Sequence, residues 1–361
     1  MNKFSKGFVA LLLGLTIGGC SCATDTTCNC PMDELVTKEE LYTTVNNGYK
    51  DLFKQTTQSV VMIKVQRKSN GEIKSTGSGV VFMEQDDEAY ILTNAHVIKE
   101  LTNDFEVEVY FSDANGFQSG KSEIARVIGK DFKEDVAVLE INKSDKYKVA
   151  TAGDSSKIEK GDFVYTIGSP SQKFNHTTNG FISNYNVTID SFDMSQTGVY
   201  TTVYPILFTA DINPGNSGGA LFDKNGKLIG ITTFEYDKLN GMYGALPINY
   251  FIKVARDLII NGDNYNRPTL SLTLLSINEM GTSRENYGIS SNITTGVFVQ
   301  NSLENIIAAH SIITEVNEKK VNSVAEFQME IFKYNSGDTV TLTLVNKDGL
   351  NSRKLSIILH D

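Results

Sequence analysis

Cysteine is scarce in this chain of 361 residues, because all four cysteines lie between Cys20 and Cys30 and none follows. A folded body without cysteine has no disulfide, no thiol nucleophile and no cysteine-ligated zinc, so an ordinary hydrophobic core must hold it together. The cysteines after Cys20 are an odd set of three, Cys22, Cys28 and Cys30, which can form at most one bridge among themselves.

Positive charge is also limited. The chain has 33 Lys and Arg against 43 Asp and Glu, a formal net charge of −10, with no basic stripe. Nucleic-acid binding needs clustered Lys and Arg, so we expect protein or small-molecule partners and no nucleic acid. We find no metal-ligand cluster and no phosphate-binding glycine-rich loop, and expect neither a metal nor a cofactor. With 40% hydrophobic residues, the chain is long enough for about two domains.

The amino-terminal apolar run, Phe8 to Ile17, is too short to cross a membrane, which takes about 20 apolar residues. Lys3 and Lys6 precede it, a pattern typical of an export signal, which we assign to residues 1–19. The segment Ile17-Gly18-Gly19-Cys20 resembles the bacterial lipobox. That resemblance implies a diacylglyceryl group on Cys20, which anchors an exported protein on the extracytoplasmic side of the cell membrane. Plain secretion, with Cys20 discarded or free, is the alternative. The polar residues 20–36 indicate a tether.

Beyond residue 36 the hydrophobic pattern is first helical and then alternating. A capping-box pair, Thr37 and Glu40, followed by apolar residues at helical spacing predicts an amphipathic helix. Short β-branched runs between Asn-Gly turns then predict an antiparallel all-β domain with strands at Val60–Val65, Gly79–Phe82, Tyr90–Thr93, Val107–Phe111, Ala137–Ile141, Phe163–Ile167 and Leu228–Thr233.

A helix over Ile248–Ile260 closes this first domain, which we place at residues 37–262. Residues 267–361 form a second, small domain that contains strands and a helix over Val324–Tyr334. Its predicted strands are Gly296–Gln300, Ile312–Val316, Thr339–Val345 and Lys354–Leu359.

Three reactive polar residues, His96, Asp135 and Ser217, stand beside apolar runs. A serine hydroxyl is a weak nucleophile until a base takes its proton, and an imidazole does this best when a buried carboxylate fixes its tautomer. Asp131 is a competing carboxylate. Glycines on both sides of Ser217 allow the positive φ and the close backbone approach that an oxyanion-binding turn needs.

The order His, Asp, Ser resembles that of trypsin-like serine proteases, and the surrounding motifs resemble the HtrA (Deg) family over roughly residues 58–361. The motifs that carry this resemblance are Gly77-Ser78-Gly79, Thr93–Val97, Asp135–Leu139, Ile167–Pro170, Gly180 and Asn213–Leu221.

The resemblance implies a mainly β fold, a trypsin-like double six-stranded β-barrel followed by a small PDZ-like α+β domain. It implies that the subunits assemble as homo-oligomers, trimers or multiples of them. In this resemblance His96 is the general base, Asp135 orients it and Ser217 is the nucleophile. The backbone N–H groups of Gly215, Asn216 and Ser217 form the oxyanion hole.

The resemblance also assigns binding residues. Thr232, Thr233 and Phe234 line a primary pocket without fixed charge, which predicts cleavage after small or aliphatic residues, although the carboxylate of Asp211 argues against that preference. The PDZ-like carboxylate loop is Leu270, Ser271 and Leu272, with Ser271 where glycine is usual. The usual Gly-Leu and Gly-Asp pairs are missing after it, which leaves peptide capture by strand addition open.

The implied function is a cell-envelope serine endopeptidase that hydrolyses unfolded or damaged exported proteins through an acyl-enzyme. Gly215-x-Ser217-x-Gly219 also fits the nucleophile elbow of α/β-hydrolases, which would make the protein an esterase. However, the histidines after Ser217, His310 and His360, both fall in the small domain. A catalytically silent chaperone or peptide-binding protein on the same fold is the other alternative.

Overall fold

The computed structural model describes residues 38–361 except 186, 188, 193–200, 236–240, 264–267, 305 and 361. The predicted signal (residues 1–19), the tether (20–36), Thr37 and Cys20 lie outside the described residues, as does most of the predicted boundary at 262–267. Among the residues that are described, no helix is both long and apolar enough to cross a membrane.

Helix α1 runs from Lys38 to Thr56, which confirms the helix predicted from spacing. The compact body of the protein begins at Lys50. Within this body, Leu52 and Phe53 from the last turns of α1 pack against the hydrophobic cluster that also holds the two barrels together.

Two closed barrels of six antiparallel strands follow, as the resemblance implies. The strands of the first barrel are β1 Val60–Arg67, β2 Ile73–Gln85, β3 Glu88–Thr93, β4 Phe105–Ser112, β5 Gln118–Asp131 and β6 Val136–Asn142, in the spatial order β1-β2-β3-β6-β5-β4. Because these strands are antiparallel and do not alternate with helices, the α/β-hydrolase alternative is wrong.

The strands of the second barrel are β7 Phe163–Gly168, β8 His176–Asn184, β11 Ile206–Phe208, β12 Ala220–Asp223, β13 Leu228–Glu235 and β14 Tyr243–Pro247. Their spatial order is β11-β14-β13-β12-β7-β8. Between β8 and β11, strands β9 Ile189–Phe192 and β10 Thr201–Val203 pair as a separate two-stranded sheet.

Strand β6 explains why the barrel strands have continuous apolar sequences. Ala137, Leu139 and Ile141 point into the first barrel, where they join its interior cluster. Val136 and Val138 point the other way, into the cluster between the barrels. Because successive side chains of a strand face opposite sides, a strand buried on both faces needs apolar residues at every position.

Helix α2, Ile248–Asn261, covers the junction of the two barrels and confirms the helix predicted after Pro247. Its buried residues Phe251, Val254 and Leu258 recur at helical spacing and join the cluster between the barrels. The helix ends at Gly262, whose φ is 62° and whose N–H donates to the Leu258 carbonyl at 2.8 Å.

The carboxyl-terminal part is a small sheet domain with one described α-helix, α3 Val324–Ile331. Its strands are β15 Leu272–Ser276, β16 Val297–Ser302, β17 Ile312–Val316, β18 Lys319–Lys320, β19 Thr339–Val345 and β20 Arg353–Ile358. The order is β15-β16-β17-β19-β20, with β18 paired to β17, so β15 lies at one edge. This confirms a PDZ-like sheet domain, in which the helix ends three residues before the predicted Tyr334.

Candidate active site

The pairing of β3 with β6 brings His96 and Asp135 together. Thr93 lies opposite Ala137, so the segments just outside these strand ends are neighbours. His96 follows β3 on a short 3-10 turn, and Asp135 directly precedes β6. The Asp135 carboxylate accepts the His96 backbone N–H at 2.9 Å and lies 2.9 and 3.1 Å from Nδ1.

The electrostatics of this pair suit a base held by a carboxylate. Asp135 is fully buried, which raises the pKa of its carboxyl, while the charge and hydrogen bonds of His96 oppose that rise. A carboxylate on Nδ1 keeps the proton on that nitrogen and leaves Nε2 able to accept one. The geometry therefore presents an oriented imidazole whose free nitrogen can act as a base.

Ser217 belongs to the second barrel but contacts the first. It lies in the turn before β12, and its carbonyl accepts the Ser78 backbone N–H at 2.9 Å. The Ser78 hydroxyl donates to the Gly215 carbonyl at 2.8 Å and accepts the Ser169 N–H at 2.8 Å. Ser78, at the middle of β2, therefore fixes the nucleophile turn against the barrel that carries His96.

The Ser217 hydroxyl does not yet point at the base. Oγ donates to the Thr233 carbonyl at 3.2 Å, and within the described part of the chain it makes no hydrogen bond to His96. To give its proton to Nε2, this hydroxyl would first have to leave the Thr233 carbonyl.

The turn before Ser217 has the geometry of an oxyanion-binding turn. Asn213-Pro214-Gly215-Asn216 closes with the Asn216 N–H donating to the Asn213 carbonyl at 2.9 Å, and Gly215 has a φ of 104°. These are marks of a type II turn, in which proline suits the second position and the third needs a positive φ. The Asn216 N–H is thus engaged by the Asn213 carbonyl, which argues against its predicted place in the oxyanion hole.

The N–H groups of Gly215 and Ser217 remain for that role, since neither donates to an acceptor among the described residues. The Ser171 N–H donates to the Pro214 carbonyl at 3.1 Å. Because that carbonyl and the Gly215 N–H belong to the same planar peptide, this bond also fixes the direction of the Gly215 N–H.

Of the predicted pocket residues on β13, the two threonines are buried and form hydrogen bonds to the residues around Ser217. Thr232 is buried, and its hydroxyl donates to the Asn216 carbonyl at 2.6 Å. Thr233, also buried, accepts a hydrogen bond from the Asn94 amide at 3.1 Å. Both hold the nucleophile region together. Phe234 is half-buried against the cluster between the barrels.

Asp211 is exposed, and its carboxylate accepts the Tyr243 hydroxyl at 3.1 Å. Burial raises the pKa of Tyr243, and the hydrogen bond to Asp211 raises it further. The carboxylate six residues before the nucleophile is therefore engaged by a hydroxyl from β14.

Asp131, the competing carboxylate, has a structural role. Its Oδ1 accepts the backbone N–H groups of Lys133 and Glu134 at 2.8 and 3.1 Å. These bonds close the loop that leads from β5 into Asp135. Asp131 therefore shapes the loop, and Asp135 is the carboxylate that contacts the imidazole.

The predicted carboxylate loop of the small domain is engaged internally. The Ser271 N–H donates to Glu304 Oε1 at 2.9 Å, and the Leu272 N–H donates to the Leu270 carbonyl at 2.8 Å. Glu304 Oε2 also lies 3.5 Å from His360 Nε2. A side-chain carboxylate of the domain itself thus occupies an N–H group that the resemblance assigns to a peptide's carboxylate.

Two supporting residues were not singled out from the sequence. Ser78 and Asn94 both lie inside motifs that carry the family resemblance, and this position was the one sign in the sequence that they belong to the site. The Asn94 amide donates to the Asp135 carbonyl at 3.0 Å as well as to Thr233, and so joins the base segment to the nucleophile segment.

Comparison with known proteins agrees with this geometry. The family model of the trypsin-like peptidase domain matches residues 77–231. The serine protease Do-like HtrA of Lactobacillus helveticus is 33% identical over 297 residues, which cover 78% of this chain and 68% of that protein. The serine protease Do-like HtrB of Bacillus subtilis (strain 168) is 34% identical over 284 residues, 75% of this chain and 59% of that protein.

Among solved structures, an HtrA-type protease AlgW with tripeptide superposes with a TM-score of 0.60 at 24% identity, covering 86% of this chain and 96% of that one. At this identity the likeness concerns the fold: two barrels followed by a sheet domain. The chain thus spans about three fifths to two thirds of the length of the two sequence relatives and nearly all of this solved chain.

Proposed function

Because the chain belongs to the HtrA family and is a serine endopeptidase of that type, we propose that His96, Asp135 and Ser217 are its catalytic triad. The observation that carries the proposal is the buried Asp135 carboxylate, 2.9 Å from His96 Nδ1. A silent chaperone would need no oriented base next to a serine that is held in a glycine-rich turn. The comparisons do not favour that alternative.

The reaction follows from the three side chains. The Ser217 hydroxyl leaves the Thr233 carbonyl, and as Oγ bonds to the substrate carbonyl carbon its proton passes to His96 Nε2. The imidazolium is stabilised by Asp135 and gives that proton to the leaving amide nitrogen, which departs as the new amino terminus. The remaining acyl-enzyme is hydrolysed by water, which His96 activates in the same way.

The oxyanion of each tetrahedral intermediate would be bound by the N–H groups of Gly215 and Ser217. Three contacts support this role: the type II turn, the Ser171 bond to the Pro214 carbonyl, and the Thr232 bond to the Asn216 carbonyl, whose planar peptide carries the Ser217 N–H. Together they fix the donors before substrate arrives, which is how such donors stabilise developing charge without reorganisation.

We propose that Thr233 and Phe234 border the primary pocket, with Thr232 behind them and Asp211 at the far end of the nucleophile segment. Support comes from the contact between the Ser217 hydroxyl and the Thr233 carbonyl. We propose that the enzyme cleaves after small or aliphatic residues, since the Asp211 carboxylate is already engaged by the Tyr243 hydroxyl.

The wider setting is proposed from the family and from the amino-terminal sequence. We propose an exported protein, lipid-anchored through Cys20 on the extracytoplasmic side, with a protease domain at residues 37–262 and a PDZ-like domain at 267–361. Its substrates would be unfolded or misfolded proteins, and its subunits would form trimers or multiples of them. Cys20→Ala should abolish lipid labelling, and unchanged partitioning into detergent would contradict the anchor.

The test of the activity is hydrolysis of casein, an unfolded protein, by the full chain. Ser217→Ala and His96→Ala should each lower turnover by about 10⁴-fold or more. Ser119→Ala is the matched control, because it removes a serine hydroxyl that bonds the Phe111 carbonyl at 2.9 Å in the first barrel, and its turnover should equal wild type. Casein cleavage by pure Ser217→Ala protein at the wild-type rate would exclude the proposed triad.

A further inference from the structure

Asp135 adopts an unusual backbone conformation. Its φ is 54°, in the left-handed region, which aspartate and asparagine tolerate better than other non-glycine residues but still seldom enter, so neighbouring contacts help to hold it there. We propose that Tyr250, on helix α2, is a positioning residue for Asp135. The proposal rests on the catalytic role proposed for Asp135.

One part of the restraint comes from the loop and its neighbour. Asp131 binds the N–H groups of Lys133 and Glu134, and Asn94 binds the Asp135 carbonyl. These bonds hold the backbone on both sides of the Asp135 Cα. They do not hold the Glu134 side chain, which lies next to the strained residue.

The Glu134 side chain is anchored to helix α2. Glu134 is 6% exposed, and its carboxylate accepts the Tyr250 hydroxyl, which is separated from it by 116 positions in the chain. A buried carboxylate is costly unless donors satisfy it. Removing the Tyr250 hydroxyl takes away one donor and favours movement of Glu134 toward water. Because Glu134 and Asp135 share a peptide bond, that movement would rotate Asp135 away from His96.

The other side of Tyr250 faces the PDZ-like domain. Its ring lies 4.7 Å, centroid to centroid, from the ring of Phe332, the residue that follows α3. One turn further along α2, the Lys253 ammonium donates to Asn335 Oδ1 at 3.0 Å. Helix α2 thus carries the hydroxyl that binds the catalytic loop and two side chains that contact the small domain.

The contact between Tyr250 and Phe332 borders a cavity of about 290 Å³ between the barrels and the small domain. Met329 and Tyr204 also line this cavity. Phe332 and Met329 also pack against the cluster between the barrels. The Phe332 ring therefore helps to hold the Tyr250 ring, and with it the hydroxyl on Glu134.

The experiment compares three substitutions in the full chain, with a short peptide substrate that needs no capture by the small domain. Tyr250→Phe removes only the hydroxyl, and Phe332→Leu replaces the ring that contacts Tyr250 with a smaller apolar side chain. Tyr110→Phe is the matched control, because it removes a hydroxyl that donates to Glu108 at 2.6 Å elsewhere in the first barrel. Thermal unfolding of each variant establishes that it is folded.

Tyr250→Phe should lower kcat about tenfold with KM unchanged, because the fault lies in the orientation of the base and not in substrate binding. Phe332→Leu should lower kcat in the same sense, and Tyr110→Phe should match wild type. Adding Glu134→Ala to Tyr250→Phe should cost little more than Tyr250→Phe alone, since the contact is already broken and no buried carboxylate is left to move.

A kcat of Tyr250→Phe within twofold of wild type would overturn the positioning role, and so would independent, multiplying losses in the double variant. Wild-type kcat in Phe332→Leu would overturn the inference that the Phe332 ring holds Tyr250 in place. These outcomes can be distinguished from failure of the proposed catalytic triad, because in that case Ser217→Ala would retain activity whether or not Tyr250 is substituted.

Discussion

Replacing Asp135 by Asn separates the chemistry of the carboxylate from the conformation of its backbone. Asn has nearly the same shape and, with Asp, is among the few non-glycine residues that tolerate a left-handed φ, so the φ of 54° can be kept. An alanine would confound the two effects, because it would add backbone strain to the loss of the acceptor.

The direction of the effect follows from the donors around the carboxylate. The His96 backbone N–H can only donate, so the Asn carbonyl oxygen must take the position of Oδ1, 2.9 Å away. The amide NH₂ then takes the position of Oδ2, 2.9 Å from Nδ1, and donates to it. The ring proton moves to Nε2, and Nε2 can no longer accept the Ser217 proton.

The expected loss is about 10⁴-fold in kcat, the size found when this tautomer is reversed in a serine protease. At 1.36 kcal/mol for each factor of ten, that is about 5.4 kcal/mol of activation free energy. Asp131→Asn is the matched control, since its amide oxygen can still accept the N–H groups of Lys133 and Glu134. Its kcat should stay within about threefold of wild type.

The assay is steady-state hydrolysis of a short peptide at neutral pH, with active-site concentration from fluorophosphonate titration of wild type. A kcat for Asp135→Asn within tenfold of wild type would refute the tautomer argument. An equal loss in Asp131→Asn would also refute it, because the loop shape and not the charge would then control the rate.

The same variant should change how stability depends on pH. Burial raises the pKa of Asp135 above its unfolded value of about 3.9, so the folded protein binds this proton more strongly. Its contribution to the free energy of unfolding is complete below the unfolded pKa and is lost as pH rises through the folded pKa. Asp135→Asn should lack this decline in urea unfolding measured from pH 3 upward.

Strands buried on both faces could be predicted from the sequence, because they give uninterrupted apolar runs such as Ala137–Ile141. Strand β5, Gln118–Asp131, gave no such signal. Most of its side chains are exposed or half-buried, and its first six residues, Gln118-Ser119-Gly120-Lys121-Ser122-Glu123, contain no large apolar residue. Its place is set by pairing with β4 and β6, which sequence periodicity does not record.

The residues of the site could likewise be predicted only in part. His96, Asp135 and Ser217 stand in short contiguous motifs at strand ends, so their neighbourhood could be predicted. The bond between Tyr250 and Glu134 joins residues 116 positions apart and depends on how α2 lies across the barrels. The engagement of the Asn216 N–H could also be predicted, since Asn-Pro-Gly-Asn is a type II turn sequence in which the fourth N–H donates to the first carbonyl.

Two further substitutions test contacts that the structure adds. Glu304→Ala should free the Ser271 N–H and tighten binding of a peptide with a free carboxyl terminus, measured by fluorescence anisotropy, whereas equal affinity in wild type would mean that Glu304 does not compete. Gly218→Ala places a Cβ at a φ of 81° well inside contact distance of the Ser78 carbonyl oxygen, whereas Gly120, at a φ of 75°, has open space around it. Gly120→Ala should cost only the backbone strain, about 1–2 kcal/mol of unfolding free energy, and Gly218→Ala about 3 kcal/mol or more, with loss of activity. Ser78 also forms hydrogen bonds to the carbonyls of Gly215 and Ser217. Equal destabilisation by the two alanines in urea unfolding would therefore show that β2 can shift to make room for the Cβ, and that the nucleophile turn is not fixed against the first barrel.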